Sequence, residues 1–374
     1  EPEGAPAGAV VLLHGLTDSP YSMRQVARRY RERGFVAVVP RLPGHGTVPA
    51  GLSEVDWEDW AATTRLAVRE ATRRAGAGRP LHVVGYSNGG ALAMKYALDA
   101  VEDPSLPRPA RVVLISPMIG VTEMARFAGL AGLPAVFPPF AKAAWLGIVP
   151  EFNPFKYNSF PVNGARQSSL VTRALQPRIA RLAAEGRLGE LGPVLTFQSV
   201  TDFTVSTAAV VTALYAHLPA NGSELVLYDL NRHTKFGPLL RAGTQTLVDR
   251  LLPGAPRHYR TTLLSNAGTG SYEVTERVTE AGSTTELVRP LGLHYPRDVF
   301  SLSHIALPFP EDDPVYGVAP DPAEDFGVQL GAMALRGERG TLTVSLDALG
   351  RTSWNPFFRY QMSRIEEGIG TGLR

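Results

Sequence analysis

The sequence predicts an α/β protein with a mostly parallel sheet, helices on both faces, an inserted cap and a C-terminal β-containing extension. Three observations carry this. Short apolar runs rich in β-branched residues recur at Val10–Leu13, Phe35–Val39, Leu81–Val84 and Arg111–Ile115. They are continuous rather than alternating, as strands covered on both faces require, and helical patterns stand between them. A glycine-flanked serine then sits where a strand passes directly into a helix, at Gly85-Tyr-Ser-Asn-Gly-Gly90.

After the first strand, Met23, Val26, Ala27 and Tyr30 recur at one-face helical spacing, and Gly34 ends that helix. A second helix is expected to start with Ser53 as cap, Leu52 and Trp57 forming a hydrophobic staple, and to bury Trp60, Ala61, Thr64 and Val68. A third runs over Ala91–Leu98 behind the serine. Between Ser116 and Pro193 lie 76 residues, too many for one crossover, so 117–192 is expected to be an insertion in a core formed by 1–116 and 193–374. Its aromatic residues, Phe127, Phe137, Phe140, Trp145, Phe152, Phe155, Tyr157 and Phe160, suit an apolar cap over a site; a helical excursion with its own core is the plainer alternative. Strands resume at Val194–Gln198 and Glu224–Tyr228 around a helical stretch near Thr207–His217. Strand-like pieces at Tyr259–Leu264, Tyr272–Thr279 and Thr341–Leu346 flank a Pro-rich, irregular section from Pro290 to Pro322, and Phe357–Glu367 reads as helix.

Composition narrows the function classes. Of the 374 residues, 44% are apolar and 19% charged, as in soluble globular proteins, and no apolar run approaches the roughly 20 residues of a membrane-spanning helix. The 37 basic and 35 acidic residues are interspersed, leaving no basic stripe for nucleic acid or anionic lipid. With no cysteine there is no disulfide, thiolate metal site or cysteine nucleophile. The start at Glu1, with a flexible Glu-Pro-Glu-Gly-Ala-Pro lead-in, leans toward an exported protein.

Ser87 has the setting in which G-x-S-x-G carries chemistry. The flanking glycines relieve crowding in a tight strand-to-helix turn, and the helix N-terminus behind it favours developing negative charge. The first strand ends in His14-Gly15-Leu16-Thr17, a turn expected to aim the Leu16 backbone N–H at the crevice and, with the Asn88 N–H, to form a two-donor oxyanion hole.

Together with Pro43-Gly44-His45-Gly46 and the segment around Asp202, these motifs resemble the α/β-hydrolase superfamily, most closely its bacterial carboxylesterase and monoacylglycerol-lipase-like branch, over about the first 230 residues. The resemblance implies Ser87 as nucleophile and Leu16 and Asn88 as oxyanion donors. Asn88 stands where methionine is frequent in that branch, but the backbone N–H is the working group. Relatives that dehalogenate or open epoxides use aspartate at the nucleophile position; serine points to acyl transfer.

In this fold the acid and then the base follow the serine. Asp202, in Ser-Val-Thr-Asp-Phe-Thr-Val205 after a strand, is the expected acid; a plain helix cap is its bland reading and Asp229 the runner-up. Among the histidines beyond it, His217 lies on a helix leaving the acid, and His258 and His294 read as structural or solvated. His233 has the usual position, 31 residues after Asp202, but Arg232 and Lys235 beside it oppose an imidazolium. His304, in Ser-Leu-Ser-His-Ile-Ala, has no cationic neighbour, resembles the base loop of small esterases, and is favoured, with His233 as the alternative base. His45 reads as structural, Glu311-Asp312-Asp313 as a solvated turn rather than a calcium site, and no metal or organic cofactor is expected.

The expected function is a serine hydrolase that cleaves carboxylic esters through an acyl-Ser87 intermediate, on a small-molecule substrate with an apolar acyl or aryl group. A serine peptidase or acyltransferase of the same fold, and a non-catalytic receptor binding a small molecule in the same crevice, remain as alternatives.

Overall fold

The computed structural model describes residues 2, 4–120, 142–202, 204–240, 242–244, 246–331 and 351–370. Phe127, Phe137 and Phe140 of the expected cap, and the expected strand Thr341–Leu346, lie outside the described residues. The chain divides into two compact units, Glu1–Gly192 with Glu366–Arg374, and Pro193–Ile365.

In the first unit four parallel strands lie in the order β4-β3-β1-β2, with β1 at Gly8–Leu13, β2 at Phe35–Val38, β3 at Leu81–Tyr86 and β4 at Arg111–Ile115. All six residues of β1 and of β3 are buried, which is why their sequences show no alternation. Helices α1 (Arg24–Glu32), α2 (Trp57–Ala75) and α3 (Asn88–Glu102) connect them. Helix α2 does not start at Ser53, which ends a 3₁₀ turn over Pro49–Ser53. Asp56 caps it instead: its side chain accepts from the N3 backbone, and the Asp59 carboxylate accepts from the Asp56 N–H at 3.1 Å. Val55 and Trp60, both buried, occupy the staple positions.

The described part of the insertion holds an antiparallel pair, β5 (Trp145–Gly147) with β6 (Phe160–Pro161), and a long helix α4 (Val162–Ala184). The intervening segment packs on loops that follow β1 and β2. The Tyr157 N–H donates to the Thr17 carbonyl at 2.7 Å, its hydroxyl accepts from the Thr47 N–H at 2.8 Å, and the Phe155 ring stacks on Tyr21 at 3.9 Å. Helix α4 is tied to α3 by Arg178, which donates to Asp99 at 2.6 Å and to Glu102.

In the second unit β7 (Val194–Ser199), β8 (Glu224–Tyr228) and β9 (Arg260–Asn266) run parallel, and β10 (Glu273–Thr279) and β11 (Glu286–His294) continue the order antiparallel. The section expected to be irregular from Pro290 thus begins inside a strand. β11 is the last strand in this order, and an edge position tolerates the N–H that Pro290 lacks. Thr207–His217 is helical but passes from α through π to 3₁₀ geometry. On one side of β8, the Tyr228 hydroxyl donates to the Gln361 side chain at 3.0 Å and its ring stacks on Phe357. No helix among the described residues is long and apolar enough to cross a membrane.

Three buried histidines set a pH dependence for the first unit. Burial lowers the pKa of His14 to about 4 and those of His45 and His82 to about 3, so all three are neutral when folded. Unfolding exposes them, and each then binds a proton below about pH 6.5. Stability is therefore lost as pH falls from 6.5 toward 4, by up to ~1.4 kcal/mol per pH unit for each histidine. Asp18, whose pKa burial raises, acts in the opposite sense and offsets part of the loss. Urea unfolding is expected to show a lower midpoint at pH 5 than at pH 7; an equal or higher midpoint contradicts neutral buried histidines.

Candidate active site

In the first unit, β3 hands over to α3 at Ser87, whose backbone stands at φ 55° and ψ −118°, a conformation that costs a residue with a Cβ on the order of 1–3 kcal/mol. Neighbouring backbone holds it there. The Ser87 N–H donates to the Ile115 carbonyl at 3.0 Å, and the Ser87 carbonyl accepts from the N–H groups of Gly90 at 2.9 Å and Met118 at 3.0 Å. Gly85 and Gly89 are required by close approach rather than by dihedral freedom. A Cβ on Gly85 would overlap the Gly89 carbonyl, and one on Gly89 would overlap the carbonyl of Leu13 at the end of β1.

The turn after β1 runs beside this serine: a Cβ placed on Gly15 would lie 3.2 Å from the Ser87 Cβ. His14 fixes the turn. Its Nε2 accepts from the Leu42 N–H at 3.1 Å, so the proton of the neutral ring is on Nδ1, which donates to the Gly15 carbonyl at 2.9 Å. That carbonyl and the Leu16 N–H belong to one planar trans peptide and point in opposite directions, so holding one orients the other. The sequence marks His14 only as part of a His-Gly turn; its anchoring role depends on Leu42, 28 residues away. Asn88 is the first residue of α3, so its N–H has no partner within the helix. Its side-chain carbonyl accepts from the Ser168 hydroxyl on α4 at 3.0 Å. His45 is buried against His14 and Trp60 and bonds to the Pro43 carbonyl at 3.0 Å.

In the second unit Asp202 follows β7, and its side chain is fully buried. Oδ1 accepts from the N–H groups of Thr204 at 2.8 Å and Val205 at 3.0 Å. Oδ2 accepts from the Gln198 amide at 3.0 Å and lies 2.8 Å from Nδ1 of His304. His304 opens a 3₁₀ turn directly after β12 (Ser301–Leu302), which pairs with β13 (Arg351–Thr352). The structure thus joins residues 102 apart in sequence, and it adds Gln198, a buried amide in the fully buried strand β7.

The competing residues are otherwise engaged. Asp229 is bound by both Nε and Nη2 of Arg232, at 2.6 and 3.0 Å, and by the Ser265 hydroxyl at 2.8 Å. The His233 ring stacks on Tyr272 at 4.0 Å, and its Nδ1 accepts from the Lys235 N–H at 3.1 Å. The two cations expected to oppose a charge on His233 are themselves paired, Arg232 with Asp229 and Lys235 with Asp298. What sets His233 apart from His304 is a ring stack where His304 has a carboxylate. His258 and His294 are exposed and His217 half-buried. No group of three or more His, Asp or Glu side chains among the described residues is placed to hold a metal ion, and the Asp313 carboxylate accepts from the N–H groups of Val315 and Tyr316.

Comparison with known proteins adds the family. The sequence profile of the alpha/beta hydrolase family matches residues 10–268. The chain is 35% identical over 95 residues to a thermostable monoacylglycerol lipase of Bacillus sp. (strain H-257), covering 25% of this chain and 36% of that protein. It is 34% identical over 143 residues to the magnesium-chelatase 30 kDa subunit of Rhodobacter capsulatus, covering 36% and 40%. The chain therefore spans less than half the length of these curated relatives. Among solved structures it is similar to a soluble variant of monoglyceride lipase from Saccharomyces cerevisiae in complex with a substrate analog, at 14% identity and a TM-score of 0.48 over 61% of this chain and 79% of that one. With the family profile spanning most of its length and a parallel sheet leading into the Ser87 turn, this chain belongs to the alpha/beta hydrolase family.

Proposed function

We propose that the protein hydrolyses carboxylic esters through an acyl-Ser87 intermediate, with His304 as base and Asp202 as the acid that orients it. The observation that carries this reading is the His304–Asp202 pair: a buried carboxylate with a histidine Nδ1 at 2.8 Å, following a strained serine in the chain order of the fold. The printed name of one relative, a monoacylglycerol lipase, favours ester substrates over other acyl compounds.

In the proposed reaction Nε2 of His304 takes the Ser87 hydroxyl proton as Oγ attacks the ester carbonyl. Asp202 holds the proton on Nδ1, so that Nε2 is the free base, and stabilises the imidazolium once it forms. The backbone N–H groups of Leu16 and Asn88 receive the oxyanion, and His14 keeps the Leu16 peptide aimed without touching substrate. His304 then protonates the leaving alcohol and later activates the water that releases the acid.

Two further readings follow. The segment 117–192 acts as a cap, supported by the packing of Phe155 and Tyr157 on the loops after β1 and β2. Its aromatic content favours an apolar acyl or aryl group. Across p-nitrophenyl esters from acetate to octanoate, kcat/KM is expected to rise with acyl length, by up to roughly fourfold for each methylene that becomes buried. A flat profile removes the apolar acyl pocket. Faster cleavage of peptide amides favours a peptidase, transfer to added alcohols an acyltransferase, and no turnover a receptor.

Gln198 tests the positioning of the acid. Gln198→Leu removes one of four donors to Asp202 while keeping an apolar shape in a buried strand. It is expected to lower kcat on the order of tenfold with KM little changed, the cost of about one hydrogen bond to a charged group. A rise in KM alone would assign Gln198 to packing instead.

A further inference from the structure

On the outer side of the first unit, a groove of about 600 Å³ lies between α2, α3 and the loop at Ser105–Pro107. Its apolar lining is Trp57, Leu66, Tyr96, Leu106 and Pro107, and Leu66 is 55% exposed although it sits on a helix whose own core face is filled by Trp60, Thr64, Val68 and Ala71. A lone exposed leucine needs no explanation, but one that lines a groove of ligand size together with a tryptophan and a tyrosine is a different feature.

Its charged lining is mostly cationic. Arg65, Arg69 and Lys95 line the groove against one carboxylate, Glu58. Beneath them Asp99 is shared by three cations: Lys95 reaches both its oxygens at 3.1 and 2.8 Å, Arg178 donates at 2.6 Å and Arg65 at 2.8 Å. Arg65 can therefore turn toward an incoming anion without leaving Asp99 unpaired, since Lys95 and Arg178 remain, and half of its side chain is already exposed. Arg69 has no carboxylate partner among the described residues and is exposed. Lys95 is 8% exposed and stands 5.3 Å from the Trp57 ring, so a charged and an apolar lining residue lie next to each other.

We infer that this groove is a second binding site, and that its ligand is a single-chain carboxylate: a head group for Arg65 and Arg69, and an alkyl tail for Trp57, Leu66 and Leu106. Complementarity fixes both ends of the ligand. An anion without a tail leaves the apolar wall wet, and an alkyl cation meets three positive side chains. The groove shares no lining residue with the Ser87 turn or the His14–Asp18 turn, and the inference stands whether or not the protein is an ester hydrolase.

The test is calorimetric titration of the full chain with decanoate below its micelle concentration, with decyltrimethylammonium and acetate as comparisons. Decanoate is expected to bind saturably and the other two to show no saturable binding. Arg69→Glu, at an exposed position, is expected to weaken decanoate binding on the order of tenfold or more with an unchanged melting temperature, and Arg69→Lys to stay within about threefold of the wild type. Leu66→Asn is expected to weaken it as well by removing tail contacts. Unchanged affinity in Arg69→Glu would place the bound decanoate elsewhere and overturn the inference. Equal binding of decyltrimethylammonium, or no decanoate binding to the wild type, overturns it too.

Discussion

His304→Ala is expected to lower kcat on a short-chain p-nitrophenyl ester by about 10⁴-fold or more, with His233→Ala within about threefold of the wild type. The asymmetry follows from what each ring touches. A base must carry a positive charge in the transition state, and His304 has Nδ1 2.8 Å from a buried carboxylate that stabilises that charge. Nδ1 of His233 instead accepts a backbone N–H, and its ring lies flat on Tyr272, so protonation there gains no carboxylate. Steady-state kinetics with circular dichroism on both variants checks this. Loss in His233→Ala with retention in His304→Ala would reverse the assignment and leave the Asp202–His304 pair as a structural contact.

Replacing the two aspartates is expected to separate chemistry from stability. Asp202→Asn keeps the shape but lets the amide donate to Nδ1 of His304, favouring the wrong tautomer, and kcat is expected to fall by about 10⁴-fold with a melting temperature near that of the wild type. Asp229→Asn has the opposite profile. That carboxylate is buried beneath Arg232 and Ser265, and neutralising it strands a guanidinium; a loss of about 3–5 kcal/mol in unfolding free energy is expected, with kcat per folded molecule little changed. Comparable kinetic losses in the two variants would mean that the acid has been assigned on too little.

Much of this was legible in the sequence, for a physical reason. Strands such as β1, β3 and β8 are buried along their length, so their apolar runs are continuous and stand out. Ser87 was legible because a strand end, two obligatory glycines and a helix start crowd into six residues. Errors fell where one local signal has two outcomes. Ser53 is a good cap residue, yet Asp56 forms a reciprocal pair with Asp59 and takes the helix start. Pro290 opens a Pro-rich section that reads as irregular, yet it lies inside the edge strand β11, where a residue without an N–H is tolerated. The contact between Asp202 and His304 spans 102 residues and has no periodic signal; the requirement for a base without cationic company, and the likeness of Ser-His-Ile to the base loop of small esterases, point to His304. Gln198 left a trace that was readable, a polar amide in the strand Val-Leu-Thr-Phe-Gln-Ser, but nothing nearby in sequence says what it serves.

Activation of Ser87 as a nucleophile by His304 is tested by labelling with a fluorophosphonate and locating the adduct by mass spectrometry. One adduct per chain is expected, on Ser87, absent in Ser87→Ala, slowed by several orders of magnitude in His304→Ala and unaffected in His233→Ala. No adduct on the wild-type protein, or an adduct on Ser87 that forms at the same rate in His304→Ala, would contradict it.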